Sequence, residues 1–579
     1  MSQTPIFDKA INEILIALSP HQRTCPQCGS VFDIFQEDIE FYKKLKVSPP
    51  TLCPSCRLQR RLGHRLNLLP IFYKKTCAAP NHQEKILSFF SEKNPVKVYD
   101  DQYYFSDKWE ALECARDYDF QKTFFEQFHQ LALVVPHKAL FHDPKSVNCD
   151  YVVGGVASKN CYYVGVPYRS ENIYYGSVPA YCKDCLEVMD SDNCEQCYEI
   201  VYCEHCYNCH FCQECRDCLN SWFLYDCRGC SFCFGCVNLR NKQYYFLNQP
   251  LNKEEYQHKI NEIKTESRKV LREYQTKFSE ILHGAIRKGI NNVRAQNSLG
   301  DLLRNCRNCF YCFRILSGGG ESLRYVSDAE KVADLMDVFG STNSSLCYES
   351  TGIGDSSQIK FSLHLRANCR EMEYCVECQN SQYCFGCIGL KNKQYCIFNK
   401  QHSEQDYWQT VDKIKSDMLE RGEYGQFFPL SISLMPYQDS TAQIEFPLTK
   451  EEIIKNNWHW QDEVASDIDL SKFQTVKTED LPDDIVDVSD DILDKVILCE
   501  QTGKPFRLTK FELDFYRSHK LPLPAVHPLQ RIKNRFAFRH PFKLWQYPCS
   551  NCGRMMYSGW DPAKKYKVYC ERCYLDEVV

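Results

Sequence analysis

The sequence predicts a mainly β protein with helices: two cysteine-rich, β-solenoid-like repeats capped by helices, flanked at both ends by four-cysteine ribbon modules. Three observations predict it. Paired CxxC motifs stand near each end, the cysteines of the middle keep a three-residue phase, and the middle is written twice. A chain of 579 residues with 44% hydrophobic and 13% aromatic content should fold into about three to five compact units. In order these read as an N-terminal helix over 1–20, a ribbon cassette over 21–105 and an aromatic helical segment over 106–146. A first repeat over 147–250 follows, with a capping helix and linker over 251–296, then a second repeat over 297–402. A helix and acidic linker over 403–496 lead to a second cassette over 497–579.

The N-terminal helix is expected from Phe7, Ile11 and Leu15, apolar positions at helical spacing with charges between them. Those charges are unlike a secretory signal, and no apolar run is long enough to span a membrane. A cytoplasmic, reducing setting is therefore expected, in which the 37 cysteines stay free or bind metal. Their odd number prevents complete intramolecular pairing. A net charge of -5 argues against a polyanion-binding surface over the whole chain.

Each cassette carries one complete ligand set. Cys25, Cys28, Cys53 and Cys56 form a CxxC…CxxC pair with 24 residues between, and Cys549, Cys552, Cys570 and Cys573 form another with 17 between. Each CxxC turn offers two converging thiolates, and two turns complete the tetrahedron that zinc prefers. Four protein thiolates leave no open position, so these zinc ions are read as structural.

The first ribbon resembles the bacterial family called the probable zinc-ribbon domain, through Cys25-Pro26-Gln27-Cys28-Gly29, Phe32, Glu40-Phe41-Tyr42, Pro49-Pro50 and Cys53-Pro54-Ser55-Cys56-Arg57, over about 45 residues. The resemblance implies a small zinc-stabilised module and brings no activity with it. The whole chain is similar to uncharacterised cysteine-rich zinc-ribbon proteins of small-genome bacteria, some labelled CoA-transferases. That label implies an α/β fold, and no βαβ pattern is present.

The chain also matches itself. Residues 498–516 align without gaps on 24–42, placing Cys499 on Cys25, Phe515-Tyr516 on Phe41-Tyr42 and Arg531 on Arg57. Thr502, His527 and Gln530 replace the other three ligands, so this copy is expected to lack metal. With a two-residue adjustment, Cys77 falls on Cys549 and Val98-Tyr99 on Val568-Tyr569, while Asp100 and Tyr103 take the places of Cys570 and Cys573. Each cassette is therefore expected to hold two ribbons and metal in one.

In the first repeat, 14 cysteines between Cys182 and Cys236 share one triplet phase, together with Val152, Val164, Ile173 and Leu224. Asn148, Asn160 and Asn172 recur every 12 residues. Regular asparagines with an inward row of small and apolar side chains predict a β-solenoid, whose coil could be 12, 21, 24 or 33 residues long. An offset of 151 carries Cys218 to Cys369, Cys233-Phe-Gly-Cys236 to Cys384-Phe-Gly-Cys387 and Asn248 to Asn399. Each copy ends in a helical pattern, opened by Asn252 with Glu255 and by Ser403 with Asp406.

The ladder cysteines are read first as small apolar core residues. A coil of 21 residues would instead gather Cys182, Cys185, Cys203 and Cys206; Cys194, Cys197, Cys215 and Cys218; and Cys209, Cys212, Cys230 and Cys233 into further zinc sites. Iron–sulfur clusters are disfavoured, because the bacterial ferredoxin ending CxxxCP is missing. His82-Gln-Glu84 and Cys549-Ser-Asn-Cys552 echo the halves of a zinc deaminase signature but lie too far apart. No phosphate loop, HExxH or GxSxG occurs.

Between Lys43 and Lys75 stand nine basic residues and no acid, among them Arg57, Arg60, Arg61 and Arg65; Arg531, Lys533 and Arg535 occupy the corresponding C-terminal region. Such flanks can track phosphates. The reading that results is a non-catalytic multi-zinc scaffold or binding protein, its partner RNA, DNA or another protein, with no membrane and no identifiable small-molecule substrate. The alternative is a metal-storage or thiol-redox protein working through the cysteine ladder.

Overall fold

In the computed structural model, residues 2–65, 68–141, 143, 145–462 and 470–579 are described. Within them the chain is mainly β with 13 α-helices, and two long, mostly parallel sheets dominate. The first has ten strands between Asp150 and Pro250, and the second has eleven between Leu299 and Gln401. Neither closes into a barrel.

In the first ladder successive strands pair at a constant shift of 12: Leu186 lies beside Tyr198, Tyr198 beside His210 and Leu219 beside Ser231. That fixes the coil left open by the sequence. Every third residue from Asn148 to Leu247 has a positive φ, so four three-residue sides make one turn of chain. Asparagine and aspartate tolerate this left-handed geometry best, which accounts for the asparagine rhythm. Asn148 Nδ2 donates to Asn160 Oδ1 at 3.2 Å, Asn160 to Asn172 at 2.9 Å and Asn172 to Asp184 at 2.6 Å.

The inward residue follows each corner. At 12-residue shifts, Cys182, Cys194, Cys206, Cys218 and Cys230 stack in one column, and Cys185, Cys197, Cys209, Ser221 and Cys233 in another, all fully buried. Cysteine here is a donor as well as a small apolar group. Cys185 Sγ faces Lys183 O at 3.1 Å and Cys194 O at 3.4 Å. Ser170 Oγ meets the same two kinds of carbonyl, Tyr168 O at 3.1 Å and Pro179 O at 3.2 Å.

In the second ladder the phase slips twice. Strand partners are 14 apart at Phe310 and Arg324, 12 apart at Leu335 and Cys347, and 13 apart at Ser357 and Arg370. Cys347, the one cysteine of this repeat outside the common triplet phase, lies between the slips and is buried like the others. Each ladder ends in a short antiparallel pair, Tyr245 with Pro250 and Cys396 with Gln401. The helices Lys253–Glu262 and Glu404–Glu420 begin directly after, with the predicted caps Asn252 and Ser403.

The cassettes cross over. The N-terminal cassette and the helix Phe124–Val134 pack on the second ladder, in a core with Tyr348, Phe361, Tyr374 and Phe385. The helix Arg268–Gly284 and the ribbon copy at 496–523 pack on the first, in a core with Tyr175, Tyr198, Phe223 and Phe234. The two halves are copies in detail: Tyr42 meets Tyr348 and Tyr516 meets Tyr198, each pair with ring centroids 6.0 Å apart. The strand Val98–Tyr99 pairs with His137–Lys138 as Lys567–Tyr569 pairs with Ile286–Lys288, both in parallel.

Candidate metal centres and their docking helices

In the first ribbon, Cys25 begins a tight turn in which its N–H donates to Ser30 O at 2.9 Å. Cys53 caps the helix Pro54–Gly63, with proline at the first helical position where no N–H is needed. The sulfurs of Cys25, Cys28, Cys53 and Cys56 lie within 4.8 Å of one another, and Cys28 and Cys53 are 3.7 Å apart. The last ribbon repeats the design: Cys549 N–H donates to Arg554 O at 2.9 Å, Cys570 caps the helix Glu571–Val578, and Cys552 and Cys570 are 3.8 Å apart. The Cys56 thiol beside Cys53 holds Cys53 down at about 5. The backbone N–H of Cys573 holds Cys570 down at about 6, with Arg554 Nη2 adding a contact at 3.6 Å. Both sets of four could hold a metal ion.

The ribbon copy at 498–531 retains the turn, Cys499 N–H donating to Lys504 O at 3.0 Å. His527 takes the place of Cys53, and its Nδ1 accepts from Leu529 N at 3.1 Å, capping the helix Pro528–Phe536. A side-chain cap thus does locally what ligation does in the other copy.

The basic residues offered as phosphate contacts are elsewhere engaged. Arg57, Arg60 and Arg61 are 1%, 8% and 0% exposed. Arg57 Nε donates to Asp337 Oδ2 at 2.9 Å, Arg61 Nη1 stands 3.1 Å from Asp337 Oδ1, and Arg60 Nη2 lies 3.1 Å from Glu349 Oε2. Arg65 lies over the Phe339 ring at 4.7 Å and donates to Phe339 O at 3.3 Å. Arg531 and Arg535 are buried and both pair with Glu187 of the first ladder. Of the seven, Lys533 alone is exposed. The six arginines therefore dock helices onto ladders and are not placed to reach a phosphate backbone.

The docking is duplicated too. Arg57 stands 5.2 Å from the Tyr325 ring and Arg531 4.8 Å from the Tyr175 ring. Tyr574 bonds Asp226 beside Arg240, and Tyr104 bonds Glu377 beside Lys391. Sequence reading missed Glu187, Asp337 and Glu349. A usable signal existed, since carboxylates 12 apart occur at matched places in both copies: Glu187 with Glu199, Asp337 with Glu349.

The three proposed ladder sites do not assemble. They require a coil of 21, whereas at 12 Cys182 stacks on Cys194 and Cys203 lies on a different side of the coil. Among the described residues, ligand groups of three or more within 4.8 Å comprise the two cysteine sets and Cys77, His82 and Asp100. Burial pushes the Cys347 and Cys369 thiols up to about 12, far from thiolate character at neutral pH.

Where the N-terminal cassette, both ladders and the C-terminal cassette meet, a cavity of about 930 Å3 opens. Tyr311, Phe538, Phe542, Trp545 and Trp560 supply rings to its wall, with Lys543 and Lys564 among the lining residues. Behind the wall, buried His540 is hydrogen-bonded to Asp301 at 2.8 Å and Glu214 at 3.1 Å. Burial opposes its charge, but these two carboxylates hold it up at about 10.

Fold and site together define a mainly β, cysteine-rich protein with two four-cysteine metal-binding clusters and no helix long and apolar enough to cross a membrane. No family model matches the chain and no curated protein matches it. Among solved structures, a candidate acetyltransferase from Desulfovibrio desulfuricans G20 aligns at 7% identity over 66% of this chain and 74% of its own, with a TM-score of 0.09. That similarity carries no argument.

Proposed function

We propose that the protein is a non-catalytic, zinc-stabilised scaffold: two β-solenoids of 12-residue coils, clamped by cassettes whose ribbons bind zinc. The observation that carries this reading is the use made of the specialised residues. Cysteine thiols turn inward to backbone carbonyls, and arginines beside the ribbons are consumed in ion pairs with the opposite ladder. Residue types that elsewhere perform chemistry are here spent on holding one rigid body. Zinc is the ion of choice, because four thiolates in two CxxC turns supply a closed tetrahedral set.

A scaffold needs a place to hold its partner, and the aromatic cavity is the one we assign. Rings with lysines beside them suit the stacked bases and phosphates of single-stranded RNA or DNA. The basic cassette flanks take no part in this contact.

Native and unfolded protein should be titrated with a thiol reagent after anaerobic purification. The reading requires the ladder thiols to react only on unfolding, and ladder thiols that react in the native protein would overturn it in favour of redox or storage. Binding of labelled single-stranded oligonucleotides should weaken as salt rises and fall at least tenfold in Lys543→Ala/Trp545→Ala. Oligonucleotide binding unaffected by that change would remove the cavity as the partner site.

A further inference from the structure

The second ribbon of the N-terminal cassette has the backbone of a metal site without its cysteine set. Val98 O accepts from Ala78 N at 2.8 Å, as Val568 O accepts from Ser550 N at 2.9 Å. Asp100 N lies 3.4 Å from Cys77 Sγ, as Cys570 N lies 3.2 Å from Cys549 Sγ. Asp100 caps the helix Asp101–Phe105 in the position where Cys570 caps Glu571–Val578. One feature differs: the Cys77 N–H closes its turn on Glu84 O, whereas Cys549 closes on Arg554 O, so this turn holds two more residues.

The longer turn changes which side chain reaches the centre. His82 Nδ1 lies 3.3 Å from Asp100 Oδ2, and Cys77 Sγ lies 3.6 Å from the same oxygen. All three ligand atoms are within 4.8 Å of one another. Tetrahedral zinc with bonds of about 2.0–2.3 Å sets its ligands roughly 3.3–3.8 Å apart. His82 Nδ1 is shielded from solvent and makes no hydrogen bond. Tyr103, in the place of Cys573, contributes a ring instead of a ligand, edge-on to His82 at 5.4 Å.

We propose that Cys77, His82 and Asp100 form a third metal site for a divalent cation of zinc's class, with one coordination position left free by Tyr103. A thiolate, an imidazole and a carboxylate around one point favour a borderline ion over calcium or magnesium. This ribbon has exchanged its ligands and has not lost its metal. Unlike the closed four-thiolate sites, it can take a water or an external ligand in the open position, and its ion leaves first under chelation. The site does not depend on the scaffold reading, because an occupied third site is compatible with any partner.

The test is metal content per chain by elemental analysis of the full-length protein purified anaerobically, alongside His82→Gln and Asp100→Asn. Zinc alone is the probe. Three equivalents are expected in the wild type and two in either variant, with the thermal midpoint of the four-cysteine ribbons retained. Cobalt substitution gives a second readout: the third equivalent should add weak thiolate-to-cobalt absorption, about a quarter of that per four-thiolate site, and His82→Gln should abolish the increment. Two equivalents in the wild type, or a third that survives both substitutions, would overturn the proposal.

Discussion

A thiol on the inner face of either ladder sits where its S–H meets a carbonyl of its own corner and one of the next coil. Serine answers the same geometry at Ser170 and Ser221. Cys209→Ser should therefore shift the thermal midpoint little, while Cys209→Leu forces bulk into a filled column and should cost about 1–3 kcal/mol. Reading cysteine only as a small apolar group hid this donor role, although the triplet phase itself was plain from Cys182 to Cys236. His540 makes a second prediction. Its pKa is about 10 when folded and about 6.5 when unfolded, so its stabilisation is full below pH 6.5 and is lost as pH rises toward 10. Thermal midpoints measured across that interval should fall more steeply in the wild type than in His540→Gln.

At the scale of elements, the helix Pro54–Gly63 joins a candidate metal centre to a ladder: Cys53 and Cys56 face the ion, while Arg57 and Arg61 face Asp337. Removing one partner of a buried ion pair leaves the other charge stranded, at about 3–5 kcal/mol. Asp337→Ala should accordingly loosen the N-terminal cassette, seen as faster proteolysis between residues 1 and 65 with the ladders intact. Glu187→Ala should do the same to residues 528–539. The ribbons and helix caps were legible because each is local, a few residues closing one turn or one helix end. The docking was not, because Arg57 and Asp337 are far apart in the chain and a buried arginine has the same sequence signature as a solvated one. The basic flank at 43–75 was accordingly misread, its charge balanced by carboxylates that belong to another element.

At the scale of the whole molecule, the N-terminal cassette belongs with the second ladder and the C-terminal cassette with the first. A protease site inserted in the connection at 290–292, between the first ladder's helices and the second ladder, should therefore give two fragments that still elute as one particle. Separation without denaturant would contradict the crossed packing. The internal duplication was visible in the sequence, but which copy of one part embraces which copy of the other was not, because duplicated partners are chemically interchangeable.

The crossing also sets a timetable for synthesis. Arg61 leaves the ribosome long before Glu349 exists, and at about 5–20 residues per second the wait is roughly 15–60 s. During that interval the nascent N-terminal module carries arginines with nothing to meet, and a holding chaperone has its opportunity. The first ladder waits longer still. Glu187 is translated early, but Arg531 and Arg535 come almost last, so the earliest ladder to be made is the latest to be covered.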